Sequence, residues 1–315
     1  MTSTAQRNTA GRDTRRRDVL IVGGGPAGLS AALTLARARR DVTVVDAGEP
    51  RNATAEHMHG FLTRDGMPPR ALLEIGRTEV RGYGGEIVDG RVVRAEGDDD
   101  GFVLTLDDGA RLRGRQVLVT TGVADVLPDV PGLRDRWGRE VQMCPYCHGW
   151  EVRDRRIVVL ATSAQSLHQV TLLSQWSPDV TLLTGRAPEG EDAARLDARG
   201  VRVVEGEARR VVVEDDRVTG IELADGSVLG CDAVFVAPVF AAKDGPLTDL
   251  GCEFGDDGFV KADATGRTGV PGVWAAGNVV NPMGQVVLAA SAGATAGAMI
   301  NAELIEAEIA AKLAA

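Results

Sequence analysis

Hydrophobic positions come in short blocks along the chain. Residues 18–22, DVLIV, form an apolar run with no helical period, which predicts a strand covered on both faces. After a glycine-rich break, residues 29–39 are rich in Leu and Ala and predict a helix. A second run, residues 42–45, predicts another strand and ends in Asp46. Strand, loop, helix, strand and acid in this order are the plan of a dinucleotide-binding unit. Gly23 allows the tight turn, Gly25 lets the backbone approach a pyrophosphate, and Gly28 lets helix and strand pack closely. The helix start then presents partial positive charge to the phosphates, and Asp46 is placed to accept from an adenosine ribose.

The pattern occurs twice. Laying Gly23 on Ala161 aligns RIVVLATSAQSLHQVTLLSQWSPDVTLLT with the first unit without a gap, and Asp179-Val180-Thr181 falls on Asp41-Val42-Thr43. The unit ends repeat as well, DGARLRGRQVLVTTG resembling DGSVLGCDAVFVAP. Two dinucleotide-type units are therefore expected. In the second, the loop glycines are replaced by Ala161, Ser163 and Ser166, and the acid by Thr184. A Cβ at these positions obstructs close approach of a pyrophosphate, and Arg186 is the one obvious candidate to clasp a 2′-phosphate. The fold pattern survives while the nucleotide-binding pattern fades, so NADPH is not expected to bind.

Near the C-terminus, residues 273–276 predict a strand, Gly277 and Asn278 a tight turn, and Gln285 onward a helix of small residues; AELIEAEIAAKLAA reads as an amphipathic surface helix. The run VVLAASAGATAGAMI is too short for a membrane span of about 20 residues, and no membrane association is expected. Residues 1–16 are polar and Arg-rich and read as a flexible tail.

Composition narrows the class. At 315 residues, 44% hydrophobic and 25% charged, the chain has room for two domains. A net charge of −10 argues against nucleic acid and anionic membranes as partners. Four cysteines in a chain this long do not make a secreted disulfide framework, which favours a reducing, cytoplasmic setting.

Two of those cysteines stand in CPYCHGWE, as Cys144 and Cys147, followed at once by His148. Such a pair can hold half a zinc site, brace a fold or carry electrons. A zinc site needs two further ligands, whereas Cys231 and Cys252 are isolated, so no metal is expected. A bridge over two residues closes too short a loop to brace much. Redox chemistry is the reading that remains. His148, with an ordinary imidazole pKa of about 6.5, suits proton handling there. His57 and His59 in EHMHGF are candidates for a substrate pocket, as are Tyr146 and Trp150 in a chain with only 4% aromatic residues; for the two aromatics core packing is an equal alternative. His168 reads as a helix-surface residue.

Over about residues 17–305 these motifs resemble the flavin-dependent pyridine nucleotide-disulfide oxidoreductases, specifically the low-molecular-weight thioredoxin reductases. GGGPAG is similar to their FAD pyrophosphate loop, VTTG to their crossover strand, CPYC to their redox pair, and GVWAAGN to their second flavin motif. The resemblance implies an α/β fold of two Rossmann-like, three-layer ββα domains. Residues 17–125 and 238–315 would form a discontinuous FAD domain, and 126–237 an inserted domain carrying the cysteines. It assigns FAD contacts to Gly23, Gly25, Gly28, Asp46, Asn52, Thr121, Gly277, Asn278, Gln285 and Val286. Two positions depart from the reductases, which usually have Asp where Asn278 and His148 stand. CPYCHGWE, the eroded second loop and GN together resemble a branch containing the dithiol oxidases that close disulfides in holomycin and gliotoxin biosynthesis. That branch implies FAD, a homodimer, a small-molecule dithiol and molecular oxygen as electron acceptor. A substrate thiolate would attack Cys144 and Cys147 would leave on the flavin side. An NADPH- or ferredoxin-linked thioredoxin or disulfide reductase is the alternative, and a non-enzymatic flavoprotein a more distant one.

Overall fold

The computed structural model describes residues 15–315, so most of the expected N-terminal tail lies outside the described residues. Arg15 and Arg16 do not: Arg15 pairs with Asp41 at 2.5 Å, and Arg16 opens the first strand.

In chain order the elements are β1 (Arg16–Val22), α1 (Pro26–Arg37), β2 (Val42–Asp46), α2 (Pro69–Gly82), β3 (Glu86–Asp89), β4 (Val92–Asp98), β5 (Gly101–Leu106) and β6 (Arg111–Val119). The chain continues through β7 (Val123–Val126), β8 (Val141–Gln142), α3 (Pro145–His148), β9 (Ile157–Leu160), α4 (Gln165–Leu173), β10 (Val180–Thr184), α5 (Gly190–Ala198) and β11 (Arg202–Glu205). After β12 (Ala208–Glu214), β13 (Arg217–Leu223), β14 (Val228–Gly230), β15 (Ala233–Val236) and β16 (Val239–Ala242) come α6 (Gly245–Asp249), β17 (Val273–Ala275) and α7 (Val286–Leu313). The fold is α/β, in two compact units. One comprises residues up to 51 with 70–124 and 242–315; the other comprises 52–69 with 125–241.

In the first unit the sheet runs β3-β2-β1-β6-β5-β4, with β17 also on β6; β1, β2, β3, β6 and β17 are parallel and β4-β5 antiparallel. Strand alternation sorts the side chains. Val19, Ile21, Val42 and Val44 face α1 and α7, while Leu20, Val22, Val45, Val117 and Val119 face residues of β4 and β5. α1 begins a turn earlier than residues 29–39 predict, because Pro26 occupies its first turn after the N-cap Gly25. The predicted small-residue and terminal helices are one continuous helix, α7, since its Ala-rich sequence holds no breaker strong enough to end it. By length and composition alone α7 is apolar enough to cross a membrane. Its Gly293, Ala296, Gly297 and Ile300 are buried, and a Cβ at Gly293 would collide with the Ala27 carbonyl of α1.

The second unit repeats the plan. Its five-stranded parallel sheet is β11-β10-β9-β15-β8, beside the antiparallel β12-β13-β14. Ile157, Val159, Ala233 and Phe235 meet Val170 and Leu173 of α4 on one face, and Val158, Leu160, Val234 and Val236 meet Val211, Val218 and Ile221 on the other. β9, α4 and β10 are the elements expected from the repeat.

Candidate active site

The two loops that open α1 and α4 are alike in position and opposite in chemistry. In the first unit Gly23 has φ +108°, a conformation that disfavours side chains, and its amide donates to Val45 O at 2.8 Å. A Cβ at Gly28 would collide with the Gly23 carbonyl, whereas a Cβ at Gly25 would enter open space. α1 has no side-chain cap and no acid in its first turn. The turn is therefore shaped to receive an anion. On the adjoining strand end, Thr121 Oγ1 is buried without a hydrogen-bond partner. These features fit an FAD pyrophosphate and its neighbouring polar atoms. Asp46 Oδ1 accepts from Gly48 N at 3.3 Å and its other oxygen is paired with Arg77, which leaves lone pairs for a ribose.

In the second unit the corresponding loop is filled from within. Ser166 is fully buried, and its Oγ accepts from the amides of Thr162 at 3.1 Å and Ser163 at 3.3 Å while donating to Leu160 O at 3.2 Å. Those amides occupy the place at which a dinucleotide loop presents N–H groups to phosphate. Arg186 is engaged by Glu189 at 2.7 Å.

Gly277 takes φ +78° and precedes Asn278, whose amide nitrogen donates to Asn281 O and Gly284 O, both at 2.8 Å. Arg51 donates to Asn278 Oδ1 at 3.4 Å and to Pro282 O at 2.8 Å. Asn278 thus braces the turn that leads to Gln285, the N-cap of α7, and Val286, its first residue. Gly23, Gly25, Gly28, Asp46, Thr121, Gly277, Asn278, Gln285 and Val286 all belong to the first unit, and Asn52 to the second.

The second unit also carries the cysteines. β8 leads into the one-turn α3, with Cys144 as its N-cap and Pro145 in its first turn. Cys144 and Cys147 form a disulfide with Cα atoms 5.2 Å apart, and Cys147 N donates to Cys144 Sγ at 3.2 Å. That N–H stabilises negative charge on Cys144 whenever Cys144 is the sulfur released. Behind the turn, Gln169 of α4 donates to Met143 O at 2.5 Å. Tyr146 and Trp150 are 65% and 63% exposed, so neither is a core residue. Tyr146 stands edge-on to Trp176, and Arg153 stacks on Trp150.

All four histidines belong to this unit, and His57, His59 and His148 gather together. His148 is largely buried, and its Nδ1 has no hydrogen-bond partner. Burial holds its pKa below the ordinary imidazole value, opposed by the Glu151 charge, assisted by His59 and again opposed by a hydrogen bond with the His57 backbone. His59 meets His148 edge-on, with ring centroids 6.3 Å apart. His59 Nδ1 lies 3.3 Å from Asp65 and Nε2 3.4 Å from Glu151. His57 Nδ1 faces Gly66 O at 3.0 Å, and the buried Met58 between the two histidines bridges to Met67. His168 is exposed on α4. Cys231 and Cys252 are buried free thiols in different units, and burial pushes Cys231 up to about 12.

The family of pyridine nucleotide-disulphide oxidoreductases matches residues 17–294. The chain belongs to this family. Its structure superimposes on the crystal structure of HlmI with a TM-score of 0.92 at 48% identity, covering 97% of this chain and 98% of HlmI. An oxidoreductase from Agrobacterium tumefaciens matches with a TM-score of 0.87 at 37% identity, over 92% and 99% of the two chains. Thioredoxin reductase sirT of Leptosphaeria maculans is 34% identical over 315 residues, 94% of this chain and 96% of sirT. As a pyridine nucleotide-disulphide oxidoreductase the protein is a flavin-dependent thiol–disulfide enzyme with an FAD-binding Rossmann-type domain.

Proposed function

We propose that the protein is a dithiol oxidase that closes an intramolecular disulfide in a small-molecule dithiol and uses molecular oxygen as electron acceptor. The observation that carries this reading is Ser166: its hydroxyl occupies the loop amides that NADPH would need, while the disulfide pair beside α4 is intact. FAD fits the first unit, where the Gly23–Gly28 turn, Asp46, Thr121 and the Gly277–Val286 segment would hold it. FAD would supply there the two-electron acceptor that lets the Cys144–Cys147 disulfide re-form, with oxygen taking the electrons on as hydrogen peroxide.

The chain's own residues carry the thiol exchange. His148, kept neutral by burial, takes the proton of the first substrate thiol. The thiolate attacks Cys144, and Cys147 leaves with the electron pair of the old bond. The second substrate thiol, deprotonated in turn, displaces Cys144 and completes the substrate disulfide. The exposed Tyr146 and Trp150, with His57 and His59, offer a small dithiol an aromatic and polar surround.

The name of the Leptosphaeria relative, thioredoxin reductase, favours a second reading, a thioredoxin or disulfide reductase linked to NADPH or ferredoxin. Screening small dithiols against the purified protein distinguishes the two. The oxidase reading expects oxygen uptake and one hydrogen peroxide for each disulfide formed; disulfide reduction at the expense of NADPH, with no oxygen uptake, contradicts it.

A further inference from the structure

We propose that His59 is the proton exit of the redox site, receiving the proton collected by His148 and releasing it to water through Glu151 and Asp65. The inference rests on the thiol-exchange reading above. Each turnover breaks two S–H bonds of the dithiol. The electron pairs stay on sulfur: one forms the bond to Cys144, and the Cys144–Cys147 pair leaves as two thiolates. The two protons must go elsewhere. A His148 that still holds the first proton cannot accept the second, and its buried ring is poorly placed to shed it directly.

His59 stands edge-on to that ring at 6.3 Å, within range of transfer directly or through one water. Both of its nitrogens face carboxylates, Asp65 at 3.3 Å and Glu151 at 3.4 Å. A neutral imidazole has a single N–H to donate and satisfies one of the two; an imidazolium satisfies both. The bracket therefore accommodates the charged form through which a relay passes. Exposure rises along the route, from 20% for the His59 side chain to 39% for Glu151 and 68% for Asp65. His57, its Nδ1 on the Gly66 carbonyl and its Nε2 3.7 Å from Glu56, stands aside from the carboxylates that bracket His59.

The test is anaerobic reduction of the enzyme disulfide by dithiothreitol in the FAD-loaded protein, followed by alkylation and mass counting of free thiols. In dilute, non-imidazole buffer His59→Gln is expected to slow the exchange by about 10²-fold, the lower end of the acid–base range. Added imidazole buffer is expected to restore the rate, a rescue that a purely structural defect does not show. Glu151→Gln, which keeps the size of the side chain, is expected to give a smaller loss that imidazole also relieves, and His168→Gln none. A wild-type rate for His59→Gln in dilute buffer, or a loss that imidazole leaves unchanged, overturns the proposal. Because dithiothreitol and alkylation involve no oxygen, failure of peroxide formation would count against the oxidase reading alone; a disulfide that no dithiol opens would sink both.

Discussion

Cys144 and Cys147 are equivalent in the sequence motif, and the Cys147 amide points at the Cys144 sulfur, where it stabilises Cys144 as the thiolate released in the second displacement. With Cys144 as the residue attacked, Cys147→Ser is expected to react readily with an aromatic disulfide and hold a stable mixed disulfide, and Cys144→Ser to react slowly. Intact-mass analysis reads both; the opposite order inverts the assignment. His148→Asn is expected to lose roughly 10²–10⁴-fold in thiol exchange. Since burial lowers the pKa of His148, the wild-type rate is expected to persist below pH of about 6.5, the ordinary imidazole value, and to fall only as pH drops through the lowered one. The same shift has a stability sign. The unfolded chain binds this proton first, so the contribution is complete above the unfolded value and is lost as pH falls toward the folded one. A rate that declines from pH 7 with an unshifted midpoint speaks against His148 as the base. The motif makes His148 legible but not Glu151, whose meaning depends on His59, far away in sequence, whose ring lies against it.

Among the elements, β1, β2, β9, β10 and β17 were legible because buried parallel strands read as unbroken apolar runs. The start of α1 was displaced by one turn, since Gly25 and Pro26 act as cap and first turn and not as loop. The break expected within α7 is missing, because alternating apolar and charged residues after Asn301 continue a helix as readily as they begin one. Segment 52–69 carried no period at all, and its grouping with the second unit follows from tertiary contacts that no local pattern encodes. Absent glycines mark the α4 loop in the sequence; the hydroxyl that fills it has no local signal, since a serine there adds bulk whether or not its Oγ turns onto the loop amides. Ser166→Gly is expected to destabilise the protein by about 0.5–1.5 kcal/mol, the net worth of a lost hydrogen bond. Gly293→Ala on α7 is expected to cost about 1–3 kcal/mol by overpacking against α1. Denaturant midpoints measure both, and an unchanged midpoint for Ser166→Gly would mean that its hydroxyl contributes nothing to the loop.

At the scale of the whole molecule one βαβ plan is used twice with divergent ends. The first copy keeps an open turn with a buried, unpartnered threonine hydroxyl at its edge, and the second has converted the same turn into a closed hydrogen-bonded knot. In the proposed oxidase the flavin and thiol stations are kept and the nicotinamide entry is given up. The most direct measurement of that claim is a pair of anaerobic titrations of the yellow protein, one with NADPH and one with a small dithiol. The account predicts that the dithiol bleaches the flavin, that admitted oxygen restores the colour, and that NADPH leaves the spectrum unchanged; rapid, saturable bleaching by micromolar NADPH would contradict it.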